Sequence, residues 1–160
     1  MRGMRSLTLC ALLIALVAAC SSSKKPRGQR VAADQARLLL LDRNWIDVMP
    51  QAKHDKLHVF RFVPSMGGGV FQDRTIFKGI FELFRFEATG EEIHFDLLET
   101  DQDIRARYTI EEVSGPAPFD LRLTIPESPR GPKVYYGIRA ETDRSGELLE
   151  QKLEALRAAP

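Results

Sequence analysis

The chain has 160 residues, which gives it room for one domain with a hydrophobic core. Hydrophobic residues make up 44% of it and charged residues 28%, as in an ordinary soluble globular protein. The 23 basic and 22 acidic side chains give a formal net charge of +1 and form no long run of either sign, so nothing in the composition indicates an electrostatic nucleic-acid surface. We expect no nucleic-acid partner.

The first 19 residues have the three parts of a secretory signal. Arg2 and Arg5 supply positive charge, and an apolar run from Leu7 to Ala19 follows them. This run is shorter than the roughly 20 residues that a membrane-spanning helix needs. Small residues stand immediately before Cys20, where a peptidase would cut. We therefore expect residues 1–19 to be a signal peptide that is cleaved before Cys20.

Cys20 ends the sequence LVAAC, which resembles the lipobox of bacterial lipoproteins. The resemblance implies that the Cys20 thiol receives a diacylglycerol and that Cys20 becomes the first residue of the mature protein. The cysteine count agrees, because Cys10 leaves with the signal and a lone thiol cannot form an internal disulfide. We expect the acyl chains on Cys20 to hold the protein on a bilayer, since each buried methylene contributes about 0.8 kcal/mol.

The residue after the cysteine predicts which membrane the protein reaches. In enteric-type lipoproteins an aspartate at this position resembles an inner-membrane retention signal, and this chain has Ser21 there. The resemblance therefore implies a lipid anchor in the outer membrane, with the domain facing the periplasm.

Residues 20–30 are predicted to form a lipidated, flexible tether, because SSSKKPRGQR is polar and contains a proline and a glycine. The folded domain then covers residues 31–160. At its start, VAADQARLLLLDRN predicts a short helix that ends near Asp42 or Asn44. At its end, SGELLEQKLEALRA predicts an amphipathic helix over residues 145–158, with its leucines on one face.

Eight segments rich in valine, isoleucine, phenylalanine and tyrosine lie between the two helices, and most alternate apolar with polar residues as half-buried strands do. They are NWIDVM, KLHVFRFV, GVFQDRTIF, IFELFRFE, EEIHFDLL, DIRARYTIEE, FDLRLTIP and KVYYGIRAE. The connections between them are too short for parallel crossovers, so we expect a mainly β fold with sequential antiparallel pairing. The pattern resembles the eight-stranded up-and-down barrel of the lipocalins. An open antiparallel sheet or a β-sandwich is the alternative.

The resemblance to lipocalins extends to two residues. Trp45 stands early in the first strand after a short helix, as in the lipocalin Gly-x-Trp signature, although Arg43 replaces the glycine. Arg139 lies in the last strand, where lipocalins carry an arginine that packs over this tryptophan. The resemblance implies a cation–π contact that closes the barrel. The alternative is an ordinary core tryptophan and a solvated arginine.

Two of the middle strands are apolar on both faces. Phe60 and Phe62 share one face of KLHVFRFV, and Phe84 and Phe86 share one face of IFELFRF, while the opposite faces are also apolar. The outer apolar face requires a cover, which the C-terminal helix, a protein partner or lipid would supply. If the helix covers the outside, these four phenylalanines line a cavity for a lipid or another apolar ligand. The charged residues of the strands, such as Arg61, are expected to point outward into solvent.

Patterns that carry catalysis are weak in this chain. His54, His58 and His94 lack the third oriented partner that a metal site or a catalytic triad needs. We therefore predict that the protein is not an enzyme and that it has no metal and no cofactor.

Two functions from different classes remain. In the first, a membrane-anchored lipoprotein with a lipocalin-like barrel binds a small apolar ligand or lipid. In the second, a non-catalytic envelope lipoprotein has a filled barrel and docks a protein partner. A hollow interior would favour the ligand carrier, and a filled interior would favour the interaction protein.

Overall fold

The structure of the protein is a computed structural model that describes residues 28–141 and 147–159. The predicted signal peptide, the Cys20 anchor and most of the predicted tether lie outside the described residues.

The described chain forms ten strands and two helices. The helices are α1 (Ala33–Leu40) and α2 (Glu147–Ala158), and a short 3₁₀ turn covers Pro64–Met66. The strands are β1 (Gln29–Arg30), β2 (Asn44–Ile46), β3 (Leu57–Val63), β4 (Gly68–Arg74), β5 (Gly79–Ala88), β6 (Glu92–Leu97), β7 (Gln102–Arg107), β8 (Thr109–Glu112), β9 (Leu121–Thr124) and β10 (Val134–Gly137).

The ten strands form one sheet in the order β1-β8-β9-β10-β2-β3-β4-β5-β6-β7, and every pair of neighbours is antiparallel. Strands β2 to β7 pair in the order of the sequence, and β10 returns to pair with β2 through Tyr136 and Ile46. The sheet curls around its aromatic side chains. The prediction of a mainly β, antiparallel fold with a helix before and after the strands is confirmed.

One predicted strand is divided in the structure. The segment DIRARYTIEE forms β7 and β8, which Tyr108 alone separates. β7 pairs with β6, whereas β8 pairs with β9 on one side and β1 on the other. β7 is the last strand in the sheet order, and β8 is next to β1, the first. One continuous stretch of chain therefore joins the two ends of the sheet order.

β1 was not anticipated, because its two residues belong to the predicted tether. Gln29 pairs with Glu112 and Arg30 pairs with Glu111. The contact is made by the backbone of two polar residues, so no apolar pattern marks it in the sequence. Ala33, a few residues later, lies against Gly90 in the turn between β5 and β6, where a Cβ atom on Gly90 would overlap the Ala33 backbone.

Inward-facing rings fill the curl of the sheet. The Phe60 ring has five aromatic neighbours, at centroid separations between 4.9 and 5.9 Å. These neighbours are Phe62, Phe71, Phe84, Phe95 and Tyr135. α1 adds Ala36, Leu39 and Leu40 to the same buried cluster. The core thus combines side chains from α1 and from strands on all sides of the curl.

A second apolar cluster lies between α2 and the outer face of the sheet. Leu149 and Leu153 of α2 belong to it together with Ile46 of β2 and Leu57 and Val59 of β3. Alternation along β3 places Leu57 and Val59 opposite the inward-facing phenylalanines, so the helix covers one of the two strands that are apolar on both faces.

Candidate interaction surface

The outer face of β5 carries apolar side chains that α2 does not cover. Along β5, Glu82 and Phe84 point inward and are buried, so Phe81 and Leu83 point outward. Within the described residues, the apolar cluster beneath α2 includes no residue of β5. Four side chains on β5 and the preceding turn are exposed by 61%, 71%, 55% and 58%. They are Phe77, Ile80, Phe81 and Leu83, which we call the β5 surface. Phe81 and Leu83 lie on the outer face, whereas Ile80 is on the inner face and is exposed at the end of the strand beside the turn.

The tip of the β5 surface lies far from the start of the described chain. Phe77 and Ile80 flank the turn between β4 and β5, whereas Ala33 contacts Gly90 in the turn between β5 and β6. β5 has 10 residues, so these two turns are separated by about 30 Å of extended chain. The β5 tip and the N-terminal end of the described chain therefore lie at opposite ends of the sheet.

The charges beside the β5 tip are largely paired. Lys56 lies 3.3 Å from Asp73, and Arg74 lies 3.0 Å from Glu150 of α2. Lys78 is exposed and has no ion pair among the described residues. The surroundings of the apolar tip therefore carry little excess charge of either sign.

A groove of about 170 Å³ adjoins Leu83 on the outer face of the sheet. Met66, Gly68, Gly69 and Leu98 line it beside Leu83. A Cβ atom on Gly69 would lie 2.6 Å from the Arg61 carbonyl oxygen and would overlap the Phe84 ring. Glycine at this position therefore allows the Phe84 ring to pack across β4.

The four phenylalanines predicted to line a ligand cavity lie together. Phe60, Phe62 and Phe84 are buried, and Phe86 is half-buried against them. The ring centroids of Phe62 and Phe84 are 5.6 Å apart, and those of Phe62 and Phe86 are 5.2 Å apart, with the rings nearly perpendicular in both pairs. Edge-to-face contacts at these separations are those of a packed aromatic core. Their role in binding a ligand stays a prediction.

The predicted pair of Trp45 and Arg139 has other contacts. Trp45 is fully buried, its indole Nε1–H donates to the Leu40 carbonyl at 3.0 Å, and its ring lies against Gly137, where an added Cβ would come within 2.9 Å. Arg139 lies in the turn after β10 and not in the last strand as predicted, because β10 ends at Gly137, and its guanidinium pairs with Glu112. No contact between this guanidinium and the indole is found among the described residues, so the cation–π pair stays a prediction without a contact to support it.

Arg43, which immediately precedes β2, is bonded to the segment that follows β10. It is buried, and its guanidinium donates to the carbonyl oxygens of Ile138 at 2.8 Å and Arg139 at 3.1 Å. Burial lowers the pKa of Arg43, and the negative charge of Glu141 opposes this effect. Arg43 thus connects the start of β2 to the segment after β10.

Buried polar side chains form a hydrogen-bond network beside Arg43. The Asn44 amide donates to Glu141 at 3.0 Å, and the Arg61 guanidinium donates to the Asn44 side-chain oxygen at 3.3 Å. Arg61 was expected to be solvated because it alternates with inward phenylalanines, but it is buried. The expectation fails because Asn44 of β2 stands directly opposite Arg61 and engages it.

An inward-facing carboxylate holds the loop between β9 and β10. Glu82 is buried and accepts hydrogen bonds from Arg130 Nε at 2.6 Å and from a terminal Arg130 nitrogen at 2.8 Å. The Arg130 carbonyl in turn accepts the hydroxyl of Tyr135 at 3.2 Å. The two-point ion pair fixes the loop against the inward face of the sheet.

The three histidines lie apart and have separate partners. His58 Nδ1 is 2.7 Å from Asp47, His94 pairs with Asp103, and the His54 ring lies 5.9 Å from that of Phe77. Within the described residues there is no group of three or more His, Cys, Asp or Glu side chains that could hold a metal ion. The absence of catalysis stays a prediction.

Comparison of the chain with family models, curated proteins and solved structures finds no match. In the described part of the chain, no helix combines the length and the apolar character required to span a membrane. The likeness to lipoproteins and lipocalins therefore rests on the residues of this chain alone.

Tyr108 makes the stability of the fold sensitive to alkaline pH. Burial raises the pKa of Tyr108 from 10.0 to about 12, and its hydroxyl donates to the Thr89 carbonyl at 2.7 Å. A pKa that is higher in the folded state contributes stability below pH 10.0 that is lost as the pH rises towards 12. We expect the free energy of unfolding to fall across this interval, and to fall less steeply in Tyr108→Phe. Urea unfolding at a series of pH values measures both slopes, and equal slopes would contradict the assignment.

Proposed function

We propose that this protein is a non-catalytic lipoprotein of the bacterial cell envelope, anchored by acyl chains on Cys20, that docks a protein partner through the β5 surface. The observation that carries the proposal is the uncovered outer face of β5. α2 covers the equivalent apolar face of β3, yet Phe81 and Leu83 remain exposed. Clustered exposed apolar side chains of this kind are typical of interaction sites.

The packed interior supports docking over ligand transport. Phe60 lies at the centre of five ring contacts, and the predicted cavity residues Phe62 and Phe84 contact one another directly. A carrier of lipid needs an interior volume of several hundred cubic ångströms that side chains leave empty. Rings at contact distance across the interior favour a rigid scaffold whose partners bind outside.

We also infer that the curled sheet is an eight-stranded barrel of the lipocalin type. The inference counts β7 and β8 as one bent strand, because only Tyr108 lies between them. That strand pairs with β6 in its first half and with β9 in its second half, while β10 pairs with β2. β1 is then an addition to the outside of the ring rather than one of its eight members. A sheet is a closed barrel when its last strand pairs with its first, as β10 does with β2 in this count.

The position of the β5 tip favours a protein partner over the anchoring bilayer. The chain from Cys20 to Gly28 spans at most about 28 Å when fully extended. Anchoring at Cys20 therefore attaches the domain through the end of the sheet near Ala33, and in an upright domain this end is the one nearest the membrane. Phe77 and Ile80 at the opposite end then face the aqueous compartment. Aromatic residues with few unpaired charges are enriched in the centres of protein interfaces.

Photo-crosslinking in intact cells tests the docking surface. A photoreactive amino acid is placed at Phe81 or, as the matched control, at Glu87, which is exposed on the same outer face of β5. We expect position 81 to yield one discrete adduct with another protein, and position 87 to yield none. The adduct is identified by mass spectrometry, and the complex is rebuilt from the two purified proteins. Leu83→Asp should weaken the rebuilt complex at least about tenfold.

Other outcomes of this experiment overturn the proposed partner. An adduct only with a second copy of the chain would make the β5 surface a self-association site. An adduct only with lipid would make it a membrane contact. Equal labelling at positions 81 and 87, or no adduct at either, would leave the surface without a specific partner and contradict the proposal.

Lipid anchoring has its own test. Cys20→Ser should move the protein from the membrane fraction to the soluble fraction and abolish metabolic labelling with an acyl probe, because it removes the acylated thiol. Cys10→Ser is the matched control, since Cys10 lies within the predicted signal and should leave anchoring unchanged. Membrane attachment that survives Cys20→Ser would show that another part of the chain holds it there.

A further inference from the structure

β7 has one edge that no strand covers. Strand β7 pairs with β6 and stands at the end of the sheet order. The chain continues into β8, which has strands on both of its sides. The uncovered edge of β7 is therefore a gap of one strand length in an otherwise paired wall.

The hydrogen-bond register shows which backbone groups face this gap. The Tyr108 N–H donates to the Glu91 carbonyl at 2.9 Å, and the Ile110 carbonyl accepts the Val31 N–H at 2.9 Å, both towards the β6 and β1 side. Residues of an antiparallel strand direct their backbone groups to alternate sides. Ile104 and Ala106 therefore bond to β6, whereas the N–H and C=O groups of Asp103, Arg105 and Arg107 point into the gap. Within the described residues, no ladder or loop hydrogen bond reaches these outward groups.

Pro126 prevents β9 from continuing its pairing into the gap beside β7. β8 and β9 pair as far as Thr109 and Thr124. Continuing that register would place Pro126 opposite Arg107, and proline has no N–H to donate to a ladder. The Ile125 N–H donates to the Lys133 carbonyl at 2.8 Å, which continues the β9–β10 register, so this group faces β10 and not β7. The loop that follows β9 is held by the ion pair of Arg130 with Glu82, and Arg130 also lies 3.5 Å from the Thr100 hydroxyl in the turn before β7.

The side chains along this edge are basic on the outer face. Arg105 is exposed and lies 3.8 Å from Glu92, and Arg107 is exposed without an ion pair among the described residues. Asp103 is already paired with His94. On the inner face Ile104 is half-buried and Ala106 is buried. A strand laid along β7 would thus place alternate side chains beside two arginines and the others over a small apolar surface.

We propose that the free edge of β7 is a strand-addition site that binds an extended, acidic segment of a partner protein. The backbone groups of Arg105 and Arg107 supply the ladder hydrogen bonds, and their guanidinium groups select acidic side chains on the outer face. The site lies on a different surface from β5 and stands whether or not the β5 surface docks a partner.

The probe is a capped peptide of eight residues that alternates threonine with glutamate. Two control peptides accompany it, one with lysine in place of glutamate and one of equal charge in which two threonines are replaced by proline. We expect saturable binding of the threonine–glutamate peptide to the full chain, and binding at least about tenfold weaker for both controls. The lysine peptide tests charge selection, and the proline peptide tests strand pairing.

Variants of β7 separate the backbone contribution from the charge. Arg105→Pro removes an N–H that points into the gap while leaving the bonds of Ile104 and Ala106 to β6 in place. Arg105→Gln keeps this N–H and removes only the charge. We expect peptide binding to fall at least about tenfold in Arg105→Pro and less in Arg105→Gln.

Amide hydrogen exchange of the unsubstituted protein tests the site even if Arg105→Pro fails to fold. In the absence of peptide, the amides of Arg105 and Arg107 should exchange at least about tenfold faster than those of Ile104 and Ala106, because only the latter pair with β6. Saturating peptide should slow Arg105 and Arg107 and leave the other two unchanged. The proposal is overturned if the peptide does not bind at millimolar concentration, if the proline peptide binds equally well, or if the Arg105 amide is not protected.

Discussion

Replacing Phe60 by alanine should lower the free energy of unfolding by about 3–5 kcal/mol. Phe60 is buried, and its ring contacts five other aromatic rings, so truncation removes packing from the centre of the interior. The surrounding rings belong to separate strands that the sheet holds in place, and they cannot collapse fully into the space. Chemical denaturation monitored by circular dichroism measures the change.

Phe81→Ala is the matched control for this prediction. The same chemical change on the outer face of β5, at a side chain that is 55% exposed, should alter stability by no more than about 0.5 kcal/mol. A loss below about 1 kcal/mol for Phe60→Ala would show that the interior is loosely packed, and would return the ligand-carrier function to first place.

Leu153→Asp should destabilise the fold by about 3–5 kcal/mol, because it removes a buried leucine and places an unpaired carboxylate beneath α2. Leu153 is fully buried in the cluster that joins α2 to Leu57 and Val59 of β3. α2 is also attached through Arg157, whose Nε–H donates to the Ile76 carbonyl at 2.9 Å. The midpoint of urea unfolding should fall accordingly.

Leu148→Asp provides the comparison on the same helix. Leu148 is 40% exposed, so its carboxylate would remain in contact with water and should cost less than about 1 kcal/mol. If both variants unfold at the midpoint of the original protein, α2 contributes nothing to stability. The outer faces of β2 and β3 would then be available to partners as well.

Alternation of apolar and polar residues predicts most of this fold, because a half-buried strand shows its two faces directly in its sequence. The inward position of Phe60 and Phe62 and the apolar face of α2 follow from this pattern. The exposure of Phe81 and Leu83 does not. Both β3 and β5 are apolar on two faces, and only the packing position of α2 decides which outer face is covered.

The polar contacts of the interior were beyond the reach of sequence patterns because their partners are distant in the chain. Glu82 and Arg130 are 48 residues apart, and the pattern of β5 gives no sign that an inward carboxylate is satisfied by a loop. β1 was missed for a related reason, since Gln29 and Arg30 pair through backbone groups that all residues share. The free edge of β7 depends on the position of Pro126 relative to β8, which only the register reveals.

The pairing of β2 with β10 has a consequence for the order in which the domain folds as the chain emerges. Asn44 and Glu141, which bond across this junction, are 97 residues apart in the chain. The hairpins from β3 to β7 can form as they emerge, but one edge of β2 stays open until almost the whole domain is available. Contacts between such distant residues are slow to form, and an open strand edge beside apolar side chains promotes aggregation. The interval before β10 pairs with β2 is therefore the stage of folding at which the domain is most prone to aggregate.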